Sequence, residues 1–334
     1  MKKLLLFLIS FVLLEVFNVQ AGLPINFKKI QDNPSKIISR AKCLASVSQI
    51  EQSINNVRAR LLAGGDVWWD GKTNPKYIVP KVSLGQPEVS SIFAGAVWIG
   101  GKGDGNNLKL AAMTYRSNGT DFWPGPLDKN TGETESQQCA DWDRHFKVLG
   151  SNIRQHINEY KKAKAEGLSY NCSNIPSDVK GWPGKNNPYF EEIHSFSLPT
   201  TDQGLAPFFD ENGDDNYDPC DGDYPIIEIR NCDDNIFADE MIYWIYNDNG
   251  NVHTLAKGSE AIKMEVQVQA FAYATNDELN NMTFQRYKLI NRATELIKEC
   301  YFAMWLDPDL GCAADDYIGC DSSRSLMYVY NQDE

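Results

Sequence analysis

The sequence has no C-x-x-C pair, no H-E-x-x-H, no G-x-S-x-G, no internal repeat and no low-complexity tract. The first two absences remove the familiar zinc patterns, and the third removes the nucleophile elbow of the α/β-hydrolases. Histidine is scarce: His145, His156, His194 and His253 stand apart, and none is coupled in sequence to a nucleophile. Basic residues are the minority, with 32 Lys and Arg against 45 Asp and Glu and a net charge of −13. An acidic surface repels nucleic acid and anionic membranes and attracts cations, so no nucleic-acid partner is expected. Beyond the N-terminus no apolar run reaches the ~20 residues of a bilayer span, so no transmembrane segment is expected in the mature chain.

What is present begins with Lys2 and Lys3, an apolar run from Leu4 to Leu14, and small residues up to Ala21. That is the pattern of a cleavable secretory signal over residues 1–21. The mature part carries all eight cysteines, and an even count in an exported chain predicts disulfides. Connectivity is not derivable from spacing. The short intervals favour local bridges between Cys220 and Cys232 and between Cys312 and Cys320.

Ile50, Ile54, Val57 and Leu61 recur at spacings of three and four, which predicts an amphipathic helix over 47–62 ended by Gly64-Gly65. A second helix is predicted over 151–166, stopped by Gly167. The runs 93–99 and 108–115 read as two strands joined by the Gly100–Gly105 loop. That loop carries a lysine but no following Ser or Thr, so a hairpin turn is expected rather than a phosphate cradle. Residues 240–246 read as a strand. Residues 262–274 alternate, with Ile262, Met264, Val266, Val268 and Ala270 on one face. Residues 284–291 and 297–306 predict a hairpin across 292–295. The expected fold is mainly β (α+β), with an antiparallel β-sandwich-like C-terminal half, two or more supporting helices and long ordered loops. The organisation expected is a mixed, loop-rich region 22–200 and a calcium-loop and sandwich region 201–334, together one continuous domain or two.

The sharpest chemical motif is the acidic loop 210–221. Asp210, Asn212, Asp214, Asp218 and Asp221 occupy positions 1, 3, 5, 9 and 12, and Asn216 sits where a backbone carbonyl is used. Calcium takes six to eight hard oxygens, and alternating short acids supply them. Position 12 is Asp where an EF-hand has Glu, and position 6 is Asp215 where Gly is usual. Pro219 argues against a following helix, so the expectation is a structural Ca2+ loop without the second EF helix. Asp307, Asp309, Asp315, Asp316 and Asp321 form a second acidic group and a weaker cation-site candidate. Of the eight tryptophans, Trp98, Trp244 and Trp305 on strands read as core. Trp123 and Trp182, flanked by Pro and Gly, are the ligand-stacking candidates.

Several blocks then occur in order: Ala94–Gly101, Asp121–Leu127, Cys139–Phe146, Leu205–Asp210 with its acidic loop, Gly222–Pro225, and Asp309–Gly311 through Asp315–Asp321. Together, over 94–331, they resemble the N-terminal region of large secreted or surface proteins of Bacteroidetes that carry type IX secretion sorting domains. The resemblance implies export, engagement of the export machinery, and release or attachment at the cell surface; a chain ending at Glu334 would stay in the periplasm. It supports Asp210, Asn212, Asp214 and Asp218 as calcium ligands and implies no activity. The function expected is a non-catalytic, calcium-stabilised extracellular module for interaction or adhesion, with a surface glycan or protein as partner. The alternatives are a glycan-binding module and a secreted hydrolase using Asp307, Asp309 and Asp315.

Overall fold

The computed structural model describes residues 43–331 apart from 84, 203, 230, 231 and 313. The predicted signal segment 1–21 lies outside the described residues. In chain order the first strands are β1 (Gln49–Gln52), β2 (Arg58–Leu62), β3 (Asp66–Val67), β4 (Tyr77–Ile78), β5 (Ile92–Lys102), β6 (Leu108–Ala112), β7 (Trp123–Pro124) and β8 (Phe146–Leu149). Helix α1 (Ser136–Asp141) precedes β8, and α2 (Gly150–Ala165), α3 (Ser177–Lys180) and α4 (Phe190–His194) follow it. Short strands β9 (Phe208–Phe209), β10 (Tyr224–Pro225), β11 (Ile227–Ile229) and β12 (Cys232–Ile236) frame the acidic segment. The long strands β13 (Glu240–Asn247), β14 (Met264–Ala272), β15 (Phe284–Asn291) and β16 (Lys298–Pro308) come next. A terminal hairpin of β17 (Asp316–Asp321) and β18 (Leu326–Asn331) closes the described chain.

The fold is mainly β and antiparallel. One seven-stranded sheet runs β1-β2-β3-β5-β16, with β4 on β2 and β6 on β5; a five-stranded sheet runs β15-β14-β13-β7, with β8 on β13. Each sheet takes strands from both sides of residue 200. The two sheets share one core. Leu61, Val67, Val97, Ile99 and Ala111 of the first meet Ile242, Trp244, Tyr246, Val266 and Val268 of the second. The alternation read along 262–270 is borne out, because Ile262, Met264, Val266, Val268 and Ala270 all lie in this core. The opposite face of β13, through Met241, Tyr243 and Ile245, packs against a second core with Ile153 of α2, Val179 of α3 and Phe190 of α4. With both faces covered, all eight residues of β13 are buried, which is why it reads as a near-continuous apolar run.

The helix predicted over 47–62 is instead the hairpin β1–β2, paired from Gln49↔Leu62 to Gln52↔Ala59. Val57, Ala59 and Leu61 are all fully buried at alternate positions, the strand period. Asn55 makes the turn: its Oδ1 accepts Val57 N–H at 3.0 Å and its Nδ2 donates to Met282 O at 2.8 Å. The helical spacing arose from adding residues of two separate strands. Helix α2 stands as predicted, and Gly167 follows it with φ +66°. β5 and β6 are joined by a turn, as expected, but a shorter one: Gly100, Gly101 and Lys102 still pair with β6, and the turn is 103–107.

The expected hairpin across 292–295 is not one. β15 pairs with β14, whereas β16 pairs with β5 in the other sheet. The connection crosses the sandwich, and Tyr287 and Phe302 meet across it with ring centroids 5.3 Å apart. Arg292 stays in the crossing as a buried group, donating from Nε and Nη2 to Glu265 at 3.0 Å each.

Candidate functional site

The acidic segment 210–221 lies between β9 and β10, which pair Phe209 with Tyr224. Its carboxylates fold the loop by accepting backbone donors. Asp210 Oδ1 accepts Gly213 N–H at 2.6 Å and Oδ2 accepts Asp215 N–H at 2.7 Å. Asp214 Oδ1 accepts Asn216 N–H at 2.8 Å, and Asp218 Oδ1 accepts Cys220 N–H at 2.8 Å. Asp215 takes positive φ, 62°, at the position where Gly was expected; a short polar side chain tolerates this conformation. Asn212 links the loop's ends. Its Oδ1 accepts Asp214 N–H, and its Nδ2 donates to Asp214 at 3.2 Å and to Asp221 at 3.3 Å.

The charges are crowded. Asp218 is pushed up by burial and then by the carboxylates of Asp221 and Asp214. Asp223, buried beneath the loop, accepts Glu211 N–H at 2.9 Å and Asp218 N–H at 2.8 Å. Burial chiefly, with Asp210 and Asp214 adding, pushes it up to about 6. Asp214, exposed, is held below the usual range chiefly by the Asn216 N–H. The donor set is all hard oxygen, which fits calcium. The Asn212 amide would have to turn to present its oxygen, and Asn216 offers its carbonyl. Among the described residues no three His, Cys, Asp or Glu side chains are gathered closely enough to hold a metal ion.

The loop is tethered through Cys220, but not as predicted. Cys220 is bonded to Cys172, with Cα atoms 5.3 Å apart, and a second disulfide joins Cys43 to Cys139 at 5.8 Å. Cys232 therefore does not pair with Cys220: the turn that follows α2 brings Cys172 against the loop instead. Cys312 and Cys320 are unpaired and exposed, as is Cys300. The extended run of β17 carries Cys320 away from Cys312, which defeats the short-interval expectation.

The second acidic group is split. Asp307 ends β16 and accepts the Tyr115 hydroxyl; Asp316 begins β17 and accepts Leu310 N–H at 3.1 Å. Asp309 and Asp315 lie in the connection between them. Asp321 is at the far end of β17, roughly 17 Å from Asp316 at strand rise, and is engaged with Ser323 and Arg324. The five residues are not brought to one point.

Trp244 lies in the core as expected, but three tryptophan expectations reverse. Trp123 and Trp182 are buried, 2% and 1% exposed. Trp182 donates its indole N–H to Pro207 O at 3.1 Å, and Trp123 stacks on His253 at 5.9 Å. Trp123 lies in β7, paired with β13 and packed with Cys43 and Cys139, and Trp182 is in the second core, so neither ring is open to a ligand. Trp98, read as core, is instead 42% exposed on the outer face of β5. Its cross-strand neighbours are Ala112 and Ala303; Gly100 beside it is flanked by Leu110 and Tyr301. Small residues in the middle of bulky ones leave an apolar trough of about 580 Å³, with Leu108, Leu255 and Ala256 also on its walls. Sequence reasoning missed it because alternation along β5 does not tell which face of an outer strand another layer covers.

Exposed apolar side chains are also frequent in the C-terminal strands. Of the twenty large apolar side chains exposed among the described residues, nine fall between Leu296 and Tyr330. On the terminal hairpin Tyr317 and Tyr330 stack at 5.8 Å, Tyr328 and Tyr330 at 6.0 Å, with Tyr328 over Gly319, where a Cβ would meet its ring at 2.2 Å. No helix among the described residues is long and apolar enough to cross a membrane. Comparison with protein-family models, curated proteins and solved structures gives no match to this chain.

Proposed function

With no relative to lend a function, we propose that this chain is an exported, calcium-stabilised binding module whose contact surface is the apolar side formed by the sheet trough, β16 and the terminal hairpin. The observation that carries the reading is the concentration of exposed Tyr, Phe, Leu, Ile and Met side chains between 296 and 330. Exposed apolar surface in such a concentration marks interaction sites, because leaving it in water forgoes its burial. Its partner on this reading is a protein or glycan at a cell surface. Two disulfides suit an oxidising compartment, consistent with export; the type IX route rests on the sequence blocks alone.

Calcium on this reading is structural. Asp210, Asp214, Asp218 and Asp221, with Asn212 and Asn216, would hold it, neutralising carboxylates that otherwise repel. The melting temperature in calcium and in chelator tests the metal half. Wild type should gain stability with calcium, and the Asp210→Ala, Asp214→Ala double variant should not. Ligand at about 100 times its Kd adds roughly 2.7 kcal/mol. Equal melting in calcium and chelator would remove calcium from the reading. Adherence of the purified chain to bacterial outer surfaces tests the contact half. Tyr301→Ser with Tyr328→Ser should lower it several-fold, and adherence unchanged by these substitutions would overturn the assigned surface.

A second reading, a glycan-binding module, is favoured by the three adjacent tyrosine rings of the terminal hairpin, since aromatic rings pack on sugar faces. The test is a glycan array on which binding is lost with Tyr317→Ala or Tyr330→Ala and kept with Trp123→Phe.

A further inference from the structure

His253 lies in the 248–263 connection between β13 and β14 and is buried. Its Nδ1 is 2.9 Å from the carbonyl oxygen of Leu110 on β6, and its Nε2 is 2.7 Å from the carbonyl oxygen of Asp248. A carbonyl oxygen only accepts, so each ring nitrogen must donate, and a neutral imidazole has a single N–H. Turning the ring over would place carbons at both carbonyls and leave them without donors.

The surroundings suit a cation. The Asp248 carboxylate is 3.8 Å from Nε2 and itself accepts Ile262 N–H and Met264 N–H at 2.6 Å each. Trp123 stacks on the ring at 5.9 Å, and an aromatic face attracts positive charge. The other charged groups on the elements packed around it are occupied elsewhere. Asp121 accepts Thr254, Leu255 and Ala256 N–H. Lys109 on β6 pairs with Glu295 and Glu260.

The remaining histidines differ in kind. His156 has the Tyr170 hydroxyl, which can donate, at one nitrogen and Asp223 O at the other. Burial holds His145 neutral, down to about 3. His194 meets one carbonyl, Gly181 O.

We propose that His253 is a buried imidazolium, kept doubly protonated by two backbone carbonyls and the Asp248 carboxylate, and that it fixes the 251–261 loop as a wall of the sheet trough. Leu255 and Ala256 on that loop line the trough with Leu110, whose own carbonyl receives the Nδ1 proton. Losing one proton would set a ring lone pair against a carbonyl lone pair and release the loop from β6 or from β13. The inference stands on hydrogen bonding and does not depend on calcium in the acidic loop.

Side-chain 15N NMR of the full chain at a pH well above the ordinary imidazole value of about 6.5 tests it. His253, assigned by loss of its signals in His253→Gln, should show protons on both ring nitrogens, and the other three histidines on one. A single N–H on His253 would overturn the proposal. Amide hydrogen exchange tests the positioning role. Leu255 and Ala256 should exchange about tenfold faster or more in His253→Phe, with Leu61 in β2 unchanged; unchanged loop exchange would refute that role. Should the Phe variant fail to fold, the wild-type spectrum still decides the charge.

Discussion

Cys172 and Cys220 are bonded across the base of the acidic loop, their Cα atoms 5.3 Å apart. The bond fixes the last turn of the loop, where Asp218 and Asp221 sit, to the segment that follows α2. Closing an interval of 48 residues removes loop entropy from the unfolded chain worth about 4 kcal/mol on the chain-entropy view. The Cys172→Ala, Cys220→Ala double variant should lose stability of that order in urea unfolding. It should also need more calcium to reach a given melting temperature, because the 218–221 turn is no longer held. Unchanged calcium dependence would show that the turn is ordered without the bridge.

Trp182 supports the second core rather than a ligand. Trp182→Ala removes a buried indole and one of the two donors to Pro207 O, which keeps Ile226 N–H at 3.3 Å. The expected cost is about 3–5 kcal/mol, read as a lower urea midpoint. Glycan binding, where found, should survive in the folded fraction.

Arg292 and Glu265 form a buried pair, at 3.0 Å, that holds the crossing between the sheets. Glu265 also accepts Leu127 N–H and the amide of Gln267. Arg292→Met should cost about 3–5 kcal/mol by leaving the carboxylate buried without its cation. Adding Glu265→Gln should recover part of that loss. A double variant no more stable than the single would show that the other Glu265 hydrogen bonds carry the energy.

Asp223 makes stability depend on pH in an unusual direction. Its pKa is raised from 3.8 to about 6, chiefly by burial. The folded chain therefore binds this proton more tightly than the unfolded chain, and stability falls as pH rises from about 4 to about 6. Melting of wild type in chelator, relative to Asp223→Asn, should show that slope. Calcium should flatten it, because a cation offsets the Asp210 and Asp214 charges that help to raise the group. A wild-type curve parallel to that of the variant would exclude Asp223 as the source.

The sequence by itself determined what depends on local pattern. The near-continuous apolar run 240–246, the period-two run 262–270, helix α2 with its glycine stop, and the β5–β6 turn follow from apolar content, side-chain alternation, helical periodicity and positive φ. The alternation of short acids over 210–221 marked that stretch as a loop; that its carboxylates accept the loop's own N–H groups is a feature of the folded structure. Tertiary structure decided the rest. Whether Ile50 to Leu61 make one helix or two strands depends on partners from outside the segment, and pairing with β3 and β4 chose strands. β16 lies beside β5, which is far earlier in the chain, and no turn chemistry encodes that choice. Exposure of Trp98 and burial of Trp123 and Trp182 depend on which faces receive a third layer, and the 171–207 segment covers the second sheet rather than the trough. Cysteine pairing followed the same rule, since a bridge needs Cα atoms within about 7 Å, and folding set which cysteines met.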